Sequence, residues 1–96
     1  MSKYEYQFTK IFERKSSRIF KKDDSLRKKV YKTLYKILRE PFYKGLRTHK
    51  INSPKWGYVY SSRVTGDIRI LWDFVDDNFI ILVIDIGGHS GSKSVY

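Results

Sequence analysis

The stretch Arg63–Val75, RVTGDIRILWDFV, decides the fold because it joins a turn signal to a strictly alternating strand. Thr65-Gly66 has the composition of a turn. In the residues that follow, apolar and polar side chains alternate, as in a strand with one face in a core. One face carries Ile68, Ile70, Trp72 and Phe74, and the other carries Asp67, Arg69, Leu71 and Asp73. The stretch therefore predicts a hairpin whose second strand has an apolar face and a more polar face.

Further strands are predicted on both sides of this hairpin. A short one covers Arg47–Ile51, and Gly57–Val64 leads into the turn. Phe79–Ile86 is apolar on both faces, which is typical of a central strand. Near the start of the chain, alternation predicts a half-buried strand with Tyr4, Tyr6 and Phe8 on one face.

Two amphipathic helices are predicted between the first strand and the others. Thr9 is a candidate N-cap for the first helix, and Asp23-Asp24-Ser25 offers a second N-cap. Pro41 bounds the second helix, because the residue before a proline disfavours the helical conformation. The apolar stripe of the second helix comprises Leu26, Val30, Leu34, Ile37 and Leu38, and Tyr31 and Tyr35 are expected to widen it.

These elements predict an α+β fold in one domain, residues 1–96. Two N-terminal helices pack on one face of a twisted, mostly antiparallel sheet of four to five strands. The other face is expected to form a polar concavity that includes Arg69.

The charge distribution points to a polyanionic partner. The net charge is +10, and residues 1–50 hold 16 Lys and Arg against 5 Asp and Glu. A basic half of this kind attracts RNA, DNA or an acidic protein. Lysines off the apolar stripe of the second helix, and one beyond it, are candidate RNA or ribosome contacts: Lys28, Lys32, Lys36 and Lys50.

Several function classes find no support in the sequence. There is no cysteine, which excludes disulfides and thiolate metal sites, and two histidines at unrelated spacing form no zinc signature. Gly87-Gly88-His89-Ser90-Gly91 does not match a phosphate-binding P-loop. We expect no cofactor and no metal. The first residues lack the apolar run of a signal peptide, and no apolar stretch could span a bilayer, so a cytoplasmic protein without membrane contact is expected.

Four stretches together resemble the RelE/ParE toxin superfamily, and their motifs are closest to the YafQ, HigB and RelE-like mRNA interferases. The first is Leu46–Ile51, with a histidine in its centre. The second, Trp56-Gly57-Tyr58, opens a strand. The third is the hairpin Arg63–Trp72. The last is Ile86-Gly87-Gly88-His89 with the terminal Val95-Tyr96.

The resemblance implies the toxin of a type II toxin–antitoxin pair, an endoribonuclease that cuts messenger RNA, usually on the ribosome. It also implies a cognate antitoxin, whose acidic segment would lie across the basic helices. The residues in family-like positions are His49, Arg63, Asp67, Arg69, His89 and Tyr96. Three departures leave the general base unassigned: Val59–Ser62 lacks lysines that several members carry, other members place a histidine close to the position of Arg63, and the His89–Tyr96 spacing is longer than usual.

The chemistry of these residue types fits metal-independent RNA cleavage. A base must activate the 2′-hydroxyl, cations must stabilise the phosphorane, and an acid must protonate the leaving oxygen. Histidine suits proton transfer with its ordinary pKa of about 6.5, and arginine grips phosphate in a bidentate manner. We expect Arg69, His49 and His89 to converge at one end of the open sheet face. Tyr96 is expected to stack on a base or position the phosphate.

Three alternatives remain open at this point. The same fold could serve a ParE-type inhibitor of DNA gyrase that has no enzymatic activity. It could also serve an RNA-binding module without activity, or a toxin fold that has lost activity.

Overall fold

The computed structural model describes residues 4–75 and 80–88. Their element order is β1 (Glu5–Phe8), α1 (Lys10–Lys22), α2 (Asp24–Arg39), a 3-10 helix (Lys44–Leu46), β2 (His49–Ser53), β3 (Gly57–Arg63), β4 (Ile68–Val75) and β5 (Ile80–Gly88). All these strands form one sheet in the order β1-β5-β4-β3-β2. β1 runs parallel to β5, and the other neighbours are antiparallel. The predicted α+β architecture is confirmed.

Both helices begin at the predicted caps. The Thr9 hydroxyl accepts a hydrogen bond from the Phe12 backbone N–H at 3.1 Å. The same hydroxyl donates to the Ile84 carbonyl at 2.6 Å, which ties the start of α1 to β5. The Asp23 carboxylate caps α2 by accepting from the Leu26 N–H at 2.9 Å. Each cap satisfies a backbone donor that the first helical turn leaves without a partner.

The main core lies between the two helices and one face of the sheet. Val30, Leu34 and Ile37 of α2 and Phe12 of α1 pack there. Their partners on the strands are Ile70, Trp72, Ile81, Val83 and Ile86, with Ile68 and Phe74 at the margin. The alternation of β4 therefore places its apolar side chains on the helix-covered face, as predicted. Trp72 is fully buried, and its indole N–H donates to the Ser62 hydroxyl at 2.8 Å.

Tyr31 and Tyr35 do not widen the apolar stripe of α2, which corrects the sequence-based expectation. They are 52% and 56% exposed. Val30, Leu34 and Ile37 already cover the sheet, and the tyrosines lie one residue further around the helix, where their rings reach solvent. Phe20 and Arg27 flank Tyr31, and Arg39 lies over Tyr35.

β2 starts at His49 rather than at Arg47. Arg47 ends the 3-10 helix with a φ of 49°, in the left-handed region, which interrupts an extended strand. The limits of the other strands, β1, β3, β4 and β5, lie within two residues of the predicted ones.

Within residues 4–75 and 80–88, no helix covers the second face of the sheet, which we call the open face. This face was predicted to be polar, and for its centre that prediction is wrong. There Val59, Leu71 and Ile84 form a second buried apolar cluster. Trp56, from the turn between β2 and β3, packs against this cluster. A central strand that is apolar on both faces needs cover on both, and here Trp56 supplies part of it. Arg63 and Arg69 lie toward one end of the face, and Asp73 lies toward the other.

A β-bulge interrupts the pairing of β4 with β5. Leu71 pairs with Asp85, but Trp72 pairs with Val83, so Ile84 is an extra residue on β5. The bulge changes which side chains of β5 face which side from Asp85 onward. Among the described residues, no helix combines the length and apolar composition needed to cross a bilayer.

Candidate functional site

Two arginines lie directly opposite each other at one end of the open face. Arg63, the last residue of β3, pairs with Arg69 of β4. Like charges directly opposed across two strands destabilise a sheet. An arginine on a strand can also be held by a cross-strand ion pair with an aspartate, but the partners of Arg69 on β3 and β5 are Arg63 and Gly87. Two adjacent guanidinium groups make this end of the open face a natural anion site.

Both guanidinium groups are held by one backbone carbonyl. Arg63 Nε donates to the Thr65 oxygen at 3.2 Å, and Arg69 Nη1 donates to the same oxygen at 2.6 Å. An arginine has five N–H donors, so this anchoring leaves most of them for a ligand. Both side chains are half-buried, which restricts their motion. The carbonyl thus holds the two guanidinium groups close together.

The turn between β3 and β4 fixes this carbonyl. The Thr65 hydroxyl accepts from the backbone N–H groups of Asp67, at 3.2 Å, and Ile68, at 2.9 Å. The Val64 N–H donates to the Ile68 carbonyl at 2.9 Å, which closes the hairpin. Asp67 itself is exposed in the turn, beside the arginine pair. Thr65 is therefore a structural centre of the site that sequence reasoning treated only as a turn residue.

His49 lies on the same face and near the same end. It begins β2 opposite Ser61, and Ser61 is in turn opposite Leu71 of the open-face cluster. His49 and Arg63 are consequently diagonal neighbours, whose Cα atoms are typically about 7–8 Å apart. The register places His49 one strand beyond Arg63 and two strands from Arg69.

The His49 ring is exposed and has a defined polar contact. Its Nδ1 lies 3.0 Å from the Arg47 carbonyl oxygen. A carbonyl only accepts, so Nδ1 carries the proton in this contact and Nε2 of the neutral ring keeps a free lone pair. That tautomer can act as a base on a ligand above the face.

His89 and Tyr96 lie outside the described residues. The convergence of two histidines with Arg69 therefore stays a prediction, and so does the role of Tyr96. Within residues 4–75 and 80–88, no three His, Asp or Glu side chains are grouped so that they could hold a metal ion.

A second cationic surface lies on the helix side. An open groove of about 430 Å³ runs between α2 and the β3–β4 turn, with Lys29, Lys32 and Lys36 on one wall. The other wall includes Gly45, Arg63, Thr65 and Gly66. A neighbouring groove of about 350 Å³ shares Lys32, Lys36 and Tyr43 and extends to Tyr35 and Arg39. We call the two together the α2 groove.

The four lysines singled out from the sequence do not form one surface. Only Lys32 and Lys36 line the α2 groove. Lys28 forms an ion pair with Asp24, one turn earlier on the helix, at 3.6 Å. Lys50 lies on β2 with its ammonium 5.3 Å from the centre of the Tyr60 ring. The lysines therefore separate into a pair in the groove and two lysines outside it, each with its own contact.

Sequence reasoning missed a buried carboxylate. Asp85 is only 3% exposed, and its oxygens accept from Lys15 Nζ at 2.8 Å and from the Trp56 indole N–H at 3.1 Å. The signal was present as an acidic residue in an otherwise apolar strand, IILVIDIGG. Buried carboxylates need such partners, because an unpaired buried charge is strongly destabilising.

No family model matches the sequence, and no curated protein matches it. Several solved structures are similar to this chain in fold. A YoeB/ParE toxin from Agrobacterium tumefaciens is 15% identical with a TM-score of 0.76, over 90% of this chain and 99% of that one. The archaeal RelE-RelB complex from Pyrococcus horikoshii gives 12% identity and a TM-score of 0.73, over 94% and 99%.

The YoeB dimer from Staphylococcus aureus is 22% identical with a TM-score of 0.69, over 88% of this chain and 94% of that one. At these identities the similarity is one of fold, and it extends over nearly the whole of each chain. The chain therefore has the fold of the RelE/ParE toxins.

Proposed function

We propose that this chain is the toxin of a type II toxin–antitoxin pair and that it cleaves messenger RNA as a metal-independent endoribonuclease acting on the ribosome. The observation that carries the proposal is the Arg63–Arg69 pair, two like charges directly opposed on the open face and held by one backbone carbonyl. Such an arrangement disfavours folding unless an anion neutralises it, and a phosphodiester is the anion that a bidentate fork fits.

The reaction needs no cofactor. The arginine pair binds the scissile phosphate and stabilises the charge that builds on the phosphorane. A base removes the proton of the 2′-hydroxyl, whose oxygen attacks phosphorus. The bond to the 5′-oxygen breaks, and an acid protonates the leaving oxygen. The products are a 2′,3′-cyclic phosphate and a free 5′-hydroxyl.

His49 is a candidate for one of the proton transfers because its Nε2 keeps a lone pair and its ring is exposed near the arginine pair. His89 is the candidate for the other. Asp67 is assigned an auxiliary role beside the arginines, and Tyr96 a stacking or phosphate-positioning role. Which histidine is base and which is acid is left open.

The α2 groove supports contact with a larger RNA. Apart from Arg63, which belongs to the open-face pair, four cationic side chains line it, Lys29, Lys32, Lys36 and Arg39, against a single acidic one, Glu40. Phosphate contacts of this kind supply affinity without sequence preference and weaken as salt rises. We assign the groove to ribosomal RNA and the open face to the message.

A cognate antitoxin is the second partner. Relatives of this fold occur as a RelE-RelB complex from Pyrococcus horikoshii and as the toxin-antitoxin complex RelBE2 from Mycobacterium tuberculosis. The basic first half of this chain favours an antitoxin with an acidic segment across the helices. Association steered by charge should slow as ionic strength rises. An association rate that is the same at low and high salt would contradict charge steering.

Induced expression in bacteria tests the proposal. We expect growth arrest, with messenger RNAs cut at defined positions that primer extension maps, and we expect both effects to be strongly reduced in Arg69→Ala. Intact messenger RNA together with blocked DNA supercoiling would favour a gyrase inhibitor instead. Growth without either effect would favour an inactive fold.

A further inference from the structure

Trp56 is held across the open face by a buried carboxylate. It lies in the turn between β2 and β3, yet its indole N–H donates to Asp85 of β5 at 3.1 Å. Strands β3 and β4 lie between these two elements in the sheet. The indole therefore extends over the centre of the open face rather than staying at the turn.

Asp85 has a donor from each of three elements. Its Oδ1 accepts from Lys15 Nζ of α1 and from the Ile86 N–H of β5, both at 2.8 Å, and its Oδ2 accepts from Trp56. An apolar side chain of similar size would cover the cluster without the cost of burying a charge. The carboxylate instead fixes the orientation of the indole, because it holds the N–H edge of the ring at one point of β5.

The ring is placed to offer a face to a ligand. It packs against Val59, Leu71 and Ile84, and it remains partly exposed. The Lys55 ammonium lies 5.2 Å from the ring centre. An aromatic surface with a cation beside it is the combination that binds single-stranded nucleic acid, since bases stack and phosphates pair with the cation.

The indole edge is anchored two residues along β5 from the position opposite Arg69. Asp85 pairs with Leu71, and two residues along the same strands Gly87 pairs with Arg69. Two residues of a strand span about 7 Å. A phosphate bound at Arg63 and Arg69 would therefore have an adjacent base within reach of the indole.

We propose that Trp56 is a stacking site for a nucleobase of single-stranded RNA whose phosphate is bound by Arg63 and Arg69, and that Asp85 is the positioning residue that holds the indole there. The inference rests on the proposed function and deepens it. Stacking on the indole tolerates any base, so the site contributes affinity and register rather than sequence preference.

The intrinsic fluorescence of the protein tests this directly. The chain has two tryptophans, and the other, Trp72, is fully buried on the helix side. A short 2′-O-methyl RNA oligonucleotide, which the enzyme cannot cleave, is titrated at low salt. We expect it to quench the emission of the wild type and to leave the emission of Trp56→Phe unchanged.

Affinity provides the second measurement. Trp56→Leu keeps apolar cover but removes the aromatic face, and we expect it to bind the oligonucleotide about tenfold more weakly. Tyr58→Leu is the matched control, since Tyr58 is a 68% exposed aromatic residue of the same hairpin on the opposite face. Its affinity should equal that of the wild type.

The role of Asp85 is tested with Asp85→Asn, which keeps an acceptor but loses the charge that holds Lys15. We expect red-shifted Trp56 emission before RNA is added and a smaller quench afterwards, with cooperative thermal unfolding retained. A folded Asp85→Asn protein with wild-type emission and affinity would remove the positioning role. If that variant does not fold, the Trp56 variants decide the stacking site.

Oligonucleotide binding, followed by anisotropy, without any change in Trp56 emission would overturn the stacking site. Equal affinity of Trp56→Leu and the wild type would do the same. Either result leaves the ribonuclease proposal intact if messenger RNA is still cut in cells. If the wild type neither cleaves nor binds RNA, both the stacking site and the ribonuclease proposal are overturned.

Discussion

The two faces of the sheet are built from the same strands but differ in what they bury. On the helix side, Ile70, Trp72 and Ile81 are fully buried in a continuous core. On the open face, buried apolar residues are few, and the charged pair Arg63 and Arg69 lies beside them. Consecutive residues of a strand point to opposite faces. Residues that stabilise the fold and residues proposed to act on RNA can therefore be neighbours on one strand. Mutations on the two faces should accordingly affect different properties of the protein.

Truncation in the helix-side core should have the largest effect. Ile70→Ala removes a fully buried side chain and should lower the free energy of unfolding by about 2–5 kcal/mol. Leu71→Ala, its neighbour on the open face, should cost less because the small cluster there can relax into the gap. Urea unfolding of both variants checks this. An equal or larger loss for Leu71→Ala would mean that the open face contributes as much stability as the core.

Removal of an arginine on the open face should change activity rather than stability. We expect Arg69→Ala to lower the cleavage rate at least tenfold, equivalent to about 1.4 kcal/mol of barrier. Thermal unfolding should change little, since removing one of two opposed like charges relieves repulsion. Arg69→Lys, which keeps the charge but not the fork, should be intermediate.

Asp73→Asn is the control for this prediction, because Asp73 lies on the same strand and face and pairs with Leu82, away from the arginines. It should cleave like the wild type. If Arg69→Ala unfolds before it loses activity, the arginine pair is structural and the division between the two faces fails.

Charge reversal in the α2 groove should have a smaller effect, on binding alone. The double variant Lys32→Glu with Lys36→Glu should weaken ribosome binding and flatten its dependence on salt, because both side chains line the groove. Lys28→Glu should have less effect, since Lys28 already pairs with Asp24 outside the groove. Binding measured across a salt series decides. An effect of Lys28→Glu half as large as that of the double variant would point to net charge rather than to the groove.

The smallest effect on stability is expected at Tyr6, which packs against the helix-side core. Among the described residues its hydroxyl is the buried side-chain polar atom without a hydrogen-bond partner. Burial raises the pKa of the phenol well above its ordinary value of 10, an effect that the Leu38 backbone only partly offsets. Tyr6→Phe should therefore be neutral or stabilising, by about 1 kcal/mol at most.

The pH dependence of the same variant has a definite sign. Below pH 10 the phenol is protonated in both states. Above it, the unfolded chain releases the proton while the folded chain retains it, so the wild type loses stability as pH rises. Tyr6→Phe lacks this loss, and the difference between the two proteins in urea unfolding should widen between pH 9 and about pH 11. A constant difference would show that Tyr6 titrates alike in both states.

Much of the fold follows from local patterns. Thr9 and Asp23 were identifiable as caps because capping chemistry involves residues only a few positions apart. The alternation of β4 placed Ile70 and Arg69 on different faces without reference to the rest of the chain. Tyr31 and Tyr35 were misplaced because periodicity cannot say how wide a stripe the partner sheet will cover.

The candidate site depended more on contacts across strands. The sequence by itself determined which residue types were present at the hairpin, and it marked Arg63, Arg69 and His49 as candidates. It did not determine that the two arginines oppose each other and share the Thr65 carbonyl. It also did not separate Lys32 and Lys36 from Lys28 and Lys50, because that depends on where the β3–β4 turn meets α2.

Only the tertiary structure decided the link between Trp56 and Asp85. Strict alternation from Val83 would turn Asp85 toward the helices, but the bulge at Ile84 shifts the register and pairs Asp85 with Leu71 of the open face. Side-chain periodicity is a local property of the backbone, so a sequence can reveal it. The position of a bulge depends on how whole strands pack against their neighbours, so it is determined only when the sheet forms.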